Sequence, residues 1–196
     1  MKLVLASKNP HKLEELQTIL DGLGVEVLLE SGAGVDVEVE ETGSTFEENA
    51  RLKAEAVMKA SGLPAVADDS GLCVDALNGA PGVFSARYGG EGLNDAGRYR
   101  LVMDNLRGML DRRAKFVSCI CCCFPDGTVI EARGECAGTI AYAPQGTNGF
   151  GYDPVFFVPG LKKTFAQLTP EEKNAVSHRG NALRAFAEKL KAHLGG

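Results

Sequence analysis

Residues Leu3-Val4-Leu5-Ala6-Ser7-Lys8-Asn9-Pro10-His11-Lys12 decide the fold class. A short apolar run meets a helix start at once, with Asn9 placed as N-cap and Pro10 at the first helical position. Leu13, Leu16, Ile19 and Leu20 then recur at spacings that give a helix one apolar face. Outward from this unit, Val25 to Leu29 reads as a second strand. Val35 to Glu40 alternates with period two, as a half-exposed strand does. Ser44-Thr45-Phe46-Glu47 fits a capping box and predicts a long helix to about Ala60, closed by Gly62 and Pro64. Ala65-Val66-Ala67 predicts a short buried strand. Asn94 is placed to cap a helix carrying Leu101, Val102, Leu106 and Leu110. Residues 114–124 and 128–140 read as a hairpin about Pro125-Asp126-Gly127. Pro154 to Val158 is a further strand. Thr169-Pro170-Glu171-Glu172 opens another helix. A last helix from Ala182 to His193 lines up Leu183, Phe186, Leu190 and Leu194. Strands and helices mix without strict alternation, so the expected fold is α/β with a mixed β-sheet and flanking helices.

The 196 residues suffice for one domain, or one two-lobed domain, spanning 1–196. A net charge of -5 argues against a nucleic-acid or anionic-membrane partner, whose footprint is a basic excess. It leaves room for a small anion held by a few local cations. No apolar run approaches the roughly 20 residues of a membrane span. The apolar stretch before Ser7 is far shorter than the about 7–15 residues of a secretion signal, so a cytoplasmic location is expected. Four of the six cysteines crowd into Cys119-Ile120-Cys121-Cys122-Cys123. That run reads as a buried strand, whose side chains point to opposite faces so that all four cannot converge on one zinc; Cys119 and Cys122 do satisfy a C-x-x-C count, which leaves a zinc or redox site as the alternative. Among the 24 glycines there are clusters in 79–92 and 146–151, which suggests loops lining a binding cleft.

Four stretches carry candidate chemistry. The helix start at Ser7, Lys8, Asn9, Pro10, His11 and Lys12 offers free N–H groups, a helix dipole and two cations to an anion. A capped helix with surface lysines has the same look. Asp68 and Asp69 directly follow the expected short strand. Two adjacent carboxylates repel each other, and a hard divalent cation is an economical compensation, with Glu40-Glu41 as a further source of oxygen. A capped turn is the plainer reading. Phe150 and Tyr152, between glycines and ahead of Asp153, suit stacking on a flat ring, or packing alone. Lys173, His178 and Arg179 gather at a helix junction, where Lys and Arg suit polyphosphate or a carbonyl edge. Lys53 is a further cation, on the helix capped near Ser44. Anion loop, carboxylate pair, aromatic slot and basic patch together fit metal-assisted hydrolysis of a nucleoside polyphosphate.

At these residues the sequence resembles the inosine triphosphate pyrophosphatase family. The likeness runs through Ser7 to Lys12, Glu40-Glu41-Thr42-Gly43, Thr45-Phe46-Glu47-Glu48-Asn49-Ala50, Ala67-Asp68-Asp69-Ser70-Gly71-Leu72, Pro81 to Tyr88, Gly149 to Pro154 and Ser177-His178-Arg179-Gly180. The resemblance implies two lobes around a substrate cleft, a homodimer and Mg²⁺. It implies cleavage of ITP, dITP or XTP to the monophosphate and pyrophosphate, clearing deaminated purines. It makes Asp69 the proton acceptor for water and a metal ligand, with Glu41 and Asp68 as further metal ligands. Ser7 to Lys12, Lys53 and Lys173 would hold phosphates, and Ser70 would contact substrate. Phe150, Gly151, Tyr152, Asp153, His178 and Arg179 would form the base pocket. The competing readings are a pyrophosphatase with another base preference and a nucleotide-binding sensor without turnover.

Overall fold

The structure is a computed structural model that describes residues 1–195. In chain order the elements are β1 (Lys2–Leu5), α1 (Pro10–Ile19), β2 (Glu26–Leu29), α2 (Phe46–Ser61), β3 (Ala65–Val74), α3 (Asp95–Asn105), β4 (Arg113–Cys123), β5 (Val129–Ile140), β6 (Phe156–Val158), β7 (Lys163–Thr164), α4 (Pro170–Val176) and α5 (His178–Leu194). The strands form one seven-stranded sheet in the order β2-β1-β3-β4-β5-β6-β7. β1 lies parallel to β2 and β3, whereas β6 is antiparallel to β5 and β7. The sheet is therefore mixed, as expected.

Local chemistry sets the helix starts. The Asn9 side chain accepts the N–H of His11 at 2.9 Å, and Pro10 opens α1. Thr169 and Glu172 close a capping box on α4. On α2 the box falls one residue later than the sequence suggested. Thr45 is the cap and Glu48 its partner, because Glu48 accepts the N–H groups of both Ser44 and Thr45. α2 ends at Gly62 in the left-handed region.

Four expectations need correction. Residues 35–40 do alternate in exposure but form no strand. The N–H groups of Val35 and Val37 go to the backbone and side chain of Glu30, not to a neighbouring strand. The strand at Ala65 does not stop at Ala67 but runs on to Val74, so Asp68 and Asp69 sit inside a strand rather than at its end. Leu110 lies beyond α3 and is 94% exposed. α5 begins at His178, four residues early. The short strand β7 gave no signal, since two residues carry no periodicity.

The chain divides into two compact units. Unit 1 comprises Met1–Asp69, Ser118–Gly134 and the chain from Asn181 on; unit 2 comprises Ser70–Val117 and Glu135–Gly180. β3, β4 and β5 each contribute residues to both. The main core of unit 1 joins Leu3, Leu5, Leu16, Leu20, Val66 and Ile120 to Phe186 and Leu190 of α5. A second layer, of small residues, joins Ala50 and Ala54 of α2 to Ala67, Cys121 and Cys123. Alternation along β4 thus sends Ile120 and Cys122 into one cluster and Cys121 and Cys123 into the other. Both faces are covered, which is why this strand reads as one unbroken apolar run. Burial pushes the Cys122 thiol well above its usual range, so the side chain behaves as a small hydrophobe. The core of unit 2 gathers Leu72, Val102, Leu106, Phe116, Phe156 and Phe165.

Candidate active site

In unit 1 the charged residues are placed by β1, α1, α2 and β3. Asp68 is buried on β3, and both its oxygens accept from Lys12 Nζ of α1, at 2.8 and 2.9 Å. Asp69, the next residue, faces α2. Its Oδ2 accepts from Asn49 Nδ2 at 3.2 Å, and its Oδ1 lies 3.5 Å from Lys53 Nζ. Asn49 and Lys53 are four apart on α2 and so share a face. Lys53 also donates to Glu41 Oε1 at 2.6 Å. Burial pulls the Lys53 ammonium down, but Asp69, Glu41 and Asp68 outweigh it and hold the pKa above its ordinary value. Asn49 is fully buried, and its Oδ1 accepts the N–H of Gly43, which fixes which end of the amide points at Asp69.

The structure therefore joins Glu41, Lys53 and Asp69 in one run of pairs and places the Lys12–Asp68 pair at the neighbouring residue of β3. Ser7 Oγ accepts the N–H of Asn9 at 3.1 Å, and Pro10 and His11 are exposed at the start of α1. Lys8 stands apart from the carboxylates of β3: its ammonium pairs with Asp36 at 2.6 Å in full solvent. Ser70 is exposed on β3. Asn49 is the residue that site reasoning from the sequence missed. The signal available was its spacing from Lys53.

In unit 2 the centre is Asp153. Its Oδ2 accepts Lys173 Nζ at 2.5 Å and the N–H of Phe150 at 3.0 Å. Burial pushes its carboxyl above the usual carboxylate range, and Lys173 pulls it only part of the way back. Lys173 Nζ also lies 5.0 Å from the centre of the Phe150 ring, close enough for a cation–π contact. Of the two aromatics, only Phe150 presents its ring, at 78% exposed. Tyr152 is buried, and its hydroxyl donates to Ser85 O at 2.7 Å, so its ring belongs to the core. His178 stacks on Phe116 with ring centres 4.6 Å apart. Arg179 follows it, half-buried, in the first turn of α5. Gly151 donates its N–H to Asp95 at 2.8 Å. Phe116 and Asp95 carried no sequence signal, because both partnerships join residues far apart in the chain.

The donor chemistry in unit 1 suits a hard cation, since Glu41, Asp68 and Asp69 offer only oxygen. Among the described residues no three His, Cys, Asp or Glu side chains gather tightly enough to hold a metal by themselves. A hard cation such as magnesium takes one or two carboxylates and completes its shell with water and phosphate. Lys12 pairs with Asp68, and Lys53 with Glu41 and Asp69. Among the described residues no helix is long and apolar enough to cross a membrane.

With this architecture in hand, the comparisons with known proteins agree with one another. A model of the Ham1 family matches residues 3–189, and the chain belongs to that family. The dITP/XTP pyrophosphatase of Exiguobacterium sp. is 49% identical over 194 residues, 99% of this chain and 97% of its own. The dITP/XTP pyrophosphatase of Shigella flexneri is 47% identical over 97% of this chain and 98% of its own. The solved structure of the Staphylococcus aureus Ham1 protein superposes with a TM-score of 0.93 at 44% identity, covering 98% of this chain and all of that one.

Proposed function

We propose that the protein hydrolyses deaminated purine nucleoside triphosphates (ITP, dITP and XTP) to the monophosphate and pyrophosphate, removing them from the nucleotide pool. The observation that carries this reading is the Asp69 carboxylate, held by Asn49 and Lys53 next to the Asp68–Lys12 pair. It stands in a chain nearly half identical to proteins named dITP/XTP pyrophosphatase.

Asp69 takes the proton of the attacking water. A positioned general base contributes about 10²- to 10⁴-fold. One or two of the carboxylates of Glu41, Asp68 and Asp69 would hold Mg²⁺, which when bound stabilises charge developing on the phosphates. Lys12 and Lys53 hold the phosphates at the Ser7 to His11 turn, whose Ser7, Asn9 and His11 N–H groups are already taken by Leu5 O and the Ser7 and Asn9 side chains, and Lys8 joins them by leaving Asp36. Pro10 supplies no N–H and fixes the turn. Ser70, exposed beside Asp69, contacts substrate.

The base goes to the residues of unit 2. Phe150 stacks on the ring; Gly151 lets the backbone approach; Tyr152 contributes its main chain; His178 and Arg179 complete the set. Lys173, expected among the phosphate-holding cations, has its ammonium on Asp153 and beside Phe150, so we assign it to the base. A cation that donates and a carboxylate that accepts match the 6-oxo and N1–H groups of hypoxanthine and xanthine. Adenine reverses both. Two mispaired buried groups at about 1–3 kcal/mol each reject ATP by roughly 30- to 10⁴-fold. Guanine shares this edge and differs at its 2-amino group, so a tight or donor-lined surface near purine C2 must exclude GTP.

A homodimer, implied by the resemblance, and a cytoplasmic location complete the proposal; light scattering on purified protein tests the first. The decisive experiment is pyrophosphate release from ITP, XTP, GTP and ATP, each with magnesium and with chelator. Magnesium-dependent release from ITP and XTP at least about 30-fold above ATP is expected. Equal turnover of GTP and ITP refutes the C2 surface, and no release from any of them removes the catalytic role of Asp69.

A further inference from the structure

Within the segment 149–153 one end is well held: Tyr152 is buried with its hydroxyl on Ser85 O, and Asp153 is bound by Lys173 and by the N–H of Ala166, which leaves the turn at Gly149 to Gly151 as the part with fewer tethers. Gly149 and Gly151 both have positive φ, +75° and +59°. The ring of Phe150, between them, is largely exposed. Two of its N–H groups are satisfied internally: Phe150 donates to Asp153 Oδ2, and Asp153 donates to Phe150 O. The N–H of Gly151 instead reaches 56 residues back in the chain, to Asp95 Oδ2 at 2.8 Å.

Asp95 is well placed to act as a fixed post. It is the first residue of α3, whose start is locked by the Asn94 side chain accepting the N–H of Gly97 at 2.9 Å. Its second oxygen faces Arg98 Nη1 of the same helix at 3.8 Å, an electrostatic pairing too long for a hydrogen bond. The Arg98 side chain is only 15% exposed, so this charge is held in place rather than free in solvent. One oxygen is thus steered by Arg98 and the other takes the loop. A charge-assisted bond from a backbone N–H to a carboxylate is about twice as strong as a neutral one.

We propose that Asp95 is a positioning residue for base recognition: by accepting the Gly151 N–H it fixes the turn at Gly149 to Gly151 and so the Phe150 ring. This rests on the assignment of that loop to the base. Asp95 touches neither base nor phosphate. Its effect is to lower the ordering cost that the loop would otherwise incur when substrate binds.

The test uses Asp95→Ala and Asp95→Asn in the full chain, with two ligands. ITP has a base and inorganic pyrophosphate has none. For Asp95→Ala the KM for ITP rises about five- to tenfold, while kcat and the inhibition constant of pyrophosphate stay within about twofold. Asp95→Asn keeps an oxygen that accepts the Gly151 N–H, and restores KM to within about threefold of the parent. Unchanged KM in Asp95→Ala overturns the proposal. So does equal weakening of ITP and pyrophosphate, which a general loss of structure would cause, and so does failure of Asp95→Asn to rescue. Hydrogen exchange of the Gly151 amide supplies a readout that needs no catalysis. It accelerates about tenfold in Asp95→Ala and not in Asp95→Asn; an unchanged rate overturns the proposal even if ITP is not the substrate. Absence of ITP cleavage by the parent protein with the exchange behaving as expected would refute the functional reading alone.

Discussion

Asp68 in unit 1 and Asp153 in unit 2 are both buried carboxylates paired to a lysine, yet their surroundings differ in charge. Around Asp68 stand Glu41 and Asp69, and these three carboxylates share the ammonium groups of Lys12 and Lys53. Asp153 has Lys173 to itself, plus a backbone N–H. The first cluster keeps a negative excess, which a divalent cation and the phosphates it brings can use. The second is balanced, so it offers hydrogen bonds to a flat neutral ring without attracting stray ions. The contrast teaches that the same residue types serve different chemistry according to how the charges are counted.

The largest expected effect breaks the first cluster. Asp69→Asn lowers turnover by about 10²- to 10⁴-fold, with nucleotide affinity retained, as steady-state kinetics and equilibrium binding will show. Next comes the second cluster. Lys173→Met leaves Asp153 buried without a counter-charge and costs about 3–5 kcal/mol in urea unfolding. The sign of its pH dependence follows from the raised carboxyl. A folded protein that binds the Asp153 proton more tightly than the unfolded chain loses stability as pH rises through that raised value, and regains it on acidification. Denaturation midpoints of the variant should therefore climb as pH falls toward 4 relative to the parent.

Smaller again is Gly149→Ala. A Cβ there would lie 1.9 Å from Asp153 Oδ2, and the φ of +75° suits only glycine well. Strain of about 1–3 kcal/mol is expected, together with a raised KM for ITP and little change in kcat. The smallest effect concerns Lys53. Its raised pKa makes its contribution to stability complete below the ordinary lysine value of 10.5, and lost as pH climbs through the higher folded value. In Lys53→Met, melting temperature should fall less steeply above that pH than in the parent.

Much of this was legible beforehand where chemistry is local. Asn9 with Pro10, Thr169 with Glu172, and the apolar spacing of Leu183, Phe186 and Leu190 each depend on neighbours within a few residues. The reading failed where a partner is remote. Residues 35–40 have a strand's alternation but no strand beside them. β3 continues past Asp69 because sheet neighbours support it, not because Asp-Asp-Ser-Gly favours extension. Asp68, Asp69, Lys53 and Asp153 stood out by type and position. Asn49 and Asp95 did not, since an asparagine within a helix and an aspartate in a first helical turn have ordinary reasons to be there.

The division of unit 1 into three stretches of chain has a consequence for how the protein is made. Leu3 and Leu5 emerge from the ribosome long before Phe186 and Leu190, which cover the same core. At about 5–20 residues per second, translation separates them by roughly 10–40 s. For that interval β1 and β2 have no finished core to enter. A nascent chain halted before α5 should therefore bind holdase chaperones and yield to protease, whereas the released chain should not.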